Sequence, residues 1–124
     1  MEENFNAVEK FGLVVQHVGI NADGPEDAAR MAEEFRTLMG FIPRFGEKGI
    51  FASDLIEIIK EDGPGVHGHI AIGARDFEGA LEYFKSTMGI DEELTEKYNP
   101  GRKNKFYYLG KQIGGFAIHL KPQQ

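Results

Sequence analysis

"FRTLMGF", residues 35–41, returns forty-nine residues later as "FKSTMGI", residues 84–90, placing Phe35 on Phe84, Met39 on Met88 and Gly40 on Gly89. Extending the alignment backwards sets Asp27 on Asp76 and Glu33 on Glu82. A fixed internal offset is the mark of a repeated supersecondary unit, and it decides how the rest of the chain is read. In the first copy, Ala28, Met31, Ala32, Phe35, Leu38 and Met39 fall at helical spacing, with Pro25 suited to the first turn and Gly40 to a left-handed stop. In the second, Phe77, Ala80, Leu81, Phe84 and Met88 form the apolar stripe, Asp76 can cap it and Gly89 stops it.

An apolar run precedes each helix. "VVQHVGIN", residues 14–21, and "HGHIAIGA", residues 67–74, read as strands, each carrying histidine. Three short strands are expected after the first helix, near 43–47, 49–53 and 55–60, and three after the second, near 92–98, 105–110 and 115–121. The order is therefore strand, helix, three strands, stated twice, in modules of about 12–62 and 66–121 within a single domain spanning 1–124. The halves differ mainly by an insertion around "KYNPGRKNK", 97–105, which reads as a surface loop of the kind that touches ligand when it borders a cleft.

With 124 residues, 41% hydrophobic and 27% charged, the chain has an ordinary globular balance and room for one core. Twenty acidic against fourteen basic side chains leave a formal net charge of −6, which repels a phosphate backbone and argues against nucleic acid. No apolar stretch approaches the roughly 20 residues that span a bilayer, and "MEENFNAVEKFG" lacks the basic start and apolar core of a signal peptide. A cytoplasmic protein without membrane contact is the expectation. The absence of cysteine leaves only nitrogen and oxygen to hold a metal.

Alternation along the strands sorts the side chains. His17 is expected to share a face with Val15 and Gly19, His69 with His67, Ala71 and Gly73, and His119 with Gly115, Ala117 and Lys121. In each strand the histidine face is small or polar and the reverse face bulky, as for a sheet with helices behind it and a cleft in front. Glu57 shares its face with Leu55 and Ile59. A lone strand histidine is more often a hydrogen-bonded core residue than a ligand. Here His17 and His69 occupy the first strand of each half, and Glu57 and His119 the last, so four ligand-type residues recur at matching positions. Three imidazoles and one carboxylate suit a borderline divalent ion such as zinc, nickel, cobalt, manganese or iron. His67 has no counterpart in the first half and reads as a supporting or surface residue.

The doubled plan, with "HVGI" opening one half and "GHIAI" the other, resembles the vicinal oxygen chelate superfamily, which includes glyoxalase I, fosfomycin and bleomycin resistance proteins and extradiol dioxygenases. The resemblance covers residues 12–121. It implies an α+β fold in which two βαβββ modules form an open, curved, mixed sheet around a cleft, with helices on the outer face. By position it carries the metal ligands onto His17, Glu57, His69 and His119, and it implies a homodimer. "GHIAIGA", "KYNPG" and "IGGFAIHL" are similar to the glyoxalase-like domain that follows the aldolase domain in some clostridial 2-keto-3-deoxy-6-phosphogluconate/4-hydroxy-2-oxoglutarate aldolases. That likeness implies a neighbourhood in 2-oxo acid or sugar acid metabolism, with an associated aldolase as a partner.

Glyoxalase I and many relatives carry a glutamate on the last strand, where this chain has His119, and this weakens direct transfer of the glyoxalase or dioxygenase reactions. The expected function is a metal-dependent isomerase, epimerase or lyase acting on a small oxygen-rich acid. The metal would polarise a carbonyl, and Glu57 or neutral His119 would move the proton. A non-catalytic module that binds a small molecule or docks on an aldolase is the competing expectation. Tyr98, Arg102, Lys105 and Tyr107, in or beside the insertion, are the candidate contacts to a substrate carboxylate or phosphate.

Overall fold

Alternating apolar strands need helices on one face, and the repeat supplies one helix per half. The computed structural model, which describes residues 5–124, is an α+β fold with a seven-stranded mixed open sheet. In chain order the elements are α1 (Ala7–Phe11), β1 (Leu13–Asn21), α2 (Pro25–Met39), β2 (Arg44–Phe45), β3 (Gly49–Ser53) and β4 (Ile56–Ile59). There follow β5 (Gly68–Ala74), α3 (Phe77–Thr87), α4 (Glu92–Tyr98), β6 (Tyr107–Tyr108) and β7 (Phe116–Pro122). The sheet order is β2-β3-β4-β1-β5-β7-β6. β1 runs antiparallel to β5, each is parallel to the last strand of its own half, and the two-residue strands β2 and β6 close the ends.

The helix signals act as read. Gly40 takes the left-handed conformation at φ 83° and donates its N–H to Arg36, while the Asp76 carboxylate accepts the Gly79 N–H at 3.0 Å. Behind the sheet, Ile58, Ile50, Ala28 and Ala32 form one core beneath α2, and Leu120, Ile118, Phe77, Ala80 and Leu81 form a larger one beneath α3. Phe11 of α1 joins the second core, and Phe5 and Phe11 pack their rings on Tyr83 of α3. Among the described residues no helix is long and apolar enough to cross a membrane.

Two expectations need correction. The segment near 92–98 is helix α4, not a strand, so the second half runs strand, helix, helix, strand, strand. Asp91 caps it by accepting the Leu94 N–H at 2.9 Å, Glu92 and Glu93 occupy its first turn and Lys97 its last, matching the helix dipole. The second concerns β1, where pairing shifts between Val15 and His17: Val15 pairs with Ile72, but His17 pairs with Ala71. This bulge reverses the parity, so Val15 joins the Ile72 face while His17 and Gly19 stay on the face of Ala71 and His69.

Candidate metal centre and its cavity

The five strands β4, β1, β5, β7 and β6 lie side by side, and each turns at least one polar or aromatic side chain to the face away from the helices. These are Glu57, His17, His69, His119 and Tyr108, all of which line a cavity of about 550 Å³. Register explains their convergence. Gly19 pairs with Glu57 on one side and His69 on the other, Ala71 with His17 on one side and His119 on the other, and Tyr108 with His119. Small residues between the ligand-type side chains leave the space they fill. At Gly19 this is a strict requirement, because a Cβ there would sit 2.0 Å from the His69 ring.

One ring nitrogen from each of His17, His69 and His119 lies within 4.8 Å of the others, a geometry that could hold a metal ion. His17 Nε2 is 3.1 Å from His69 Nε2, and Glu57 Oε1 lies 3.7 Å from the former and 3.6 Å from the latter. The donor set passes a chemical test of fit. His69 Nδ1 and both nitrogens of His119 are buried without a hydrogen-bond partner among the described residues, a state that costs about 1–3 kcal/mol per group unless something binds there. Burial pushes His69 down to about 4, helped by His17, and His119 down to about 3, helped by His69, Lys121 and His17. Burial, then Lys121, also lowers His17. All three are therefore neutral at pH 7, with lone pairs free to coordinate, and three imidazoles beside a carboxylate suit a divalent ion of the borderline class.

Burial raises the Glu57 carboxyl against the opposing pull of Lys121 and Arg44. A carboxyl moved toward neutrality beside the histidines is suited to exchanging a proton. Opposite Glu57, Phe106 lies 4.5 Å and Tyr108 5.1 Å from the His119 ring, and Ile59 and Pro64 add further apolar lining. The mouth carries Lys48, Lys60 and Lys97 together with Glu47, Glu61 and Asp62, so its charges balance.

Helix α4 and the loop after it hold the aromatic wall. Buried Thr95 accepts the Tyr108 N–H at 2.9 Å, and the Asn99 amide donates to the carbonyls of Asn104 and Phe106 and accepts the Asn104 N–H. The segment joining the halves is pinned from both sides. Asn21 donates to the carbonyls of Gly63, Pro64 and Gly65, while Lys97 and the Tyr98 hydroxyl bind Asp62.

Of the four candidate substrate contacts, only Tyr98 lines the cavity, and its hydroxyl is committed to the Asp62 carbonyl. Arg102 pairs with Glu92 and Glu96. Lys105 is exposed and outside the cavity lining. Tyr107 turns to the opposite face and stacks on Phe77 at 6.3 Å. Exposed His67 also lies outside the lining, its ring beside Phe116. Sequence reasoning missed Tyr108, Phe106, Asn99 and Thr95. For Tyr108 a signal existed, since the parity that selected His119 also selects its cross-strand partner, whereas nothing in the local sequence marks Asn99 or Thr95.

Comparison with protein-family models, curated proteins and solved structures finds no match to this chain.

Proposed function

We propose that the chain is a divalent-metal-dependent isomerase, epimerase or lyase acting on a small oxygen-rich acid of the 2-oxo or sugar type, on a glyoxalase-like arrangement of two modules. The observation that carries this reading is the convergence of His17, His69 and His119, drawn from both halves, with buried nitrogens that nothing else satisfies. The mirrored strand order about the β1–β5 pair supports the two-module arrangement. Resemblance to the vicinal oxygen chelate superfamily adds the idea that two neighbouring ligand oxygens are bound together.

His17, His69 and His119 would hold the ion, with Glu57 beside them. A bound divalent ion supplies Lewis-acid stabilisation of negative charge developing on a substrate oxygen. The chain supplies the rest. Glu57 takes a proton from the substrate carbon next to the carbonyl and returns it to a neighbouring atom, the role its raised carboxyl suits. His119, held neutral by burial at about 3, is a poor base. Phe106, Tyr108, Ile59 and Pro64 exclude water around the reacting carbon.

A second reading, a non-catalytic module that binds the same acid or serves an aldolase, is favoured by one observation: the last strand bears His119 and not a carboxylate, leaving Glu57 as the only acid beside the histidines among the described residues. Elemental analysis of the purified protein, beside a His17→Ala/His69→Ala double variant, tests the shared premise. Near-stoichiometric metal that is lost in the variant is expected. Absence of metal even after divalent ions are added to folded protein overturns it. Turnover in a screen of 2-oxo and sugar acids, lost in the double variant, separates enzyme from binding module.

A further inference from the structure

The expected anion contacts leave the cavity without an assigned donor for the ligand: Arg102 is neutralised by two glutamates, Tyr107 faces the core, and the Tyr98 hydroxyl is spent on Asp62. Of the two tyrosine hydroxyls that line the cavity, that of Tyr108 is uncommitted among the described residues. Tyr108 is 4% exposed, its ring lines the cavity, and its hydroxyl has no hydrogen-bond partner among the described residues. That oxygen is not sealed in the core, since it does not belong to the buried unpartnered atoms, and it therefore opens on the cavity.

Resting on the function proposed above, we propose that Tyr108 is the hydroxyl that reads the ligand: placed across the sheet from His119, it donates a hydrogen bond to an oxygen of a two-oxygen ligand held at the histidines. Its placement is rigid. The Tyr108 N–H goes to Thr95, its carbonyl accepts the Asp91 N–H at 2.8 Å, and its ring is packed among Tyr98, Phe106 and His119. A donor fixed by its neighbours loses little freedom when ligand arrives, and it favours ligand oxygens that carry negative charge. An uncommitted donor also acts against the wrong ligand, because a molecule placing a methyl or methylene against it strips the hydroxyl of water and leaves it unpaired. The ligand class is thus narrowed to acids whose second oxygen reaches toward β6.

The test uses cobalt(II)-loaded protein titrated with acetohydroxamate, a small ligand with two adjacent oxygens, and followed by the visible cobalt spectrum. Tyr108→Phe is expected to hold as much cobalt as the unaltered protein and to bind acetohydroxamate about tenfold more weakly or worse. Tyr107→Phe, one residue away but facing the core, is expected to bind it unchanged. Equal cobalt content with affinity within about twofold in Tyr108→Phe overturns the inference alone. Protein that takes up no metal overturns it together with the proposed function. Should Tyr108→Phe lose its metal or its fold, the near-UV tyrosine difference spectrum of unaltered zinc-loaded protein decides: a tyrosine band on adding acetohydroxamate is expected, and a flat spectrum overturns the proposal.

Discussion

The half of the chain before the 61–65 linker and the half after it begin alike and end differently. Each opens with a histidine-bearing strand and a helix, but α2 buries two alanines and leaves Leu38 and Met39 in solvent, whereas α3 buries Phe77, Ala80 and Leu81 and carries α1 on its flank. The first half then completes three strands, while the second inserts α4 and builds an aromatic wall on it. At the cavity, His17 and Glu57 from the first half have partly open side chains, and His69, His119 and Tyr108 from the second are buried. The repeat therefore accounts for where ligand-type residues stand, and its divergence accounts for what surrounds them. One half presents the more open side chains and the other the buried wall.

That contrast can be broken most directly where the halves interlock. Gly19 belongs to the first half but makes room for the His69 ring of the second. Gly19→Ala, which alters no ligand, is expected to weaken divalent metal binding by about 100-fold, the scale of lost ligand orientation, measured by competition with a chelator. An unchanged affinity would mean that the two strands tolerate relative movement.

Next in size is the pH response of metal-free protein, which isolates the buried side of the site. His69 and His119 titrate near 4 and 3 when folded but near 6.5 when unfolded, so below 6.5 the unfolded chain binds the extra protons and stability falls with pH. Between pH 6.5 and 5.5 the loss is about 2 kcal/mol for the two together. Thermal unfolding in chelator should show Tm falling across this window, and replacing both histidines by glutamine should flatten it.

Thr95→Val sharpens the comparison from within the second half, since it removes the acceptor of the Tyr108 N–H and nothing from the first. A cost of about 1–2 kcal/mol in denaturant unfolding is expected. Least affected is Arg102→Ala. Its ion pairs with Glu92 and Glu96 lie at the surface, so stability should change by no more than about 0.5 kcal/mol and acetohydroxamate affinity not at all. A weakened affinity would restore Arg102 as a ligand contact.

Much of the positioning was legible because period-two alternation and a fixed repeat are strong, local signals. Gly40, Asp76 and the faces of β5 and β7 follow from them. What escaped depended on tertiary placement. The bulge at Gln16 has no sequence mark, yet it reverses Val15; the Gln16 side-chain Oε1 accepts the Gln124 N–H at 2.6 Å, a bond across nearly the whole chain. Helix α4 stands where the repeat predicts a strand, although Asp91 followed by two glutamates is a helix start in its own right. The short helix α1 inside "MEENFNAVEKFG" leaves no periodic signal: its Asn6 cap and Gly12 stop enclose only five residues. Asn99 and Thr95 hold the site through contacts that no spacing rule anticipates.

The shortness of the outermost strands bears on how the protein behaves when crowded. β2 offers only Arg44 and Phe45 to a neighbour, one of them charged, and on the outer side of β6 the Tyr108 N–H and carbonyl are already taken by Thr95 and Asp91. An extended strand arriving from another molecule meets almost no unpaired ladder and no register to copy, so the sheet is guarded at both ends against the edge-to-edge growth that leads to fibrils.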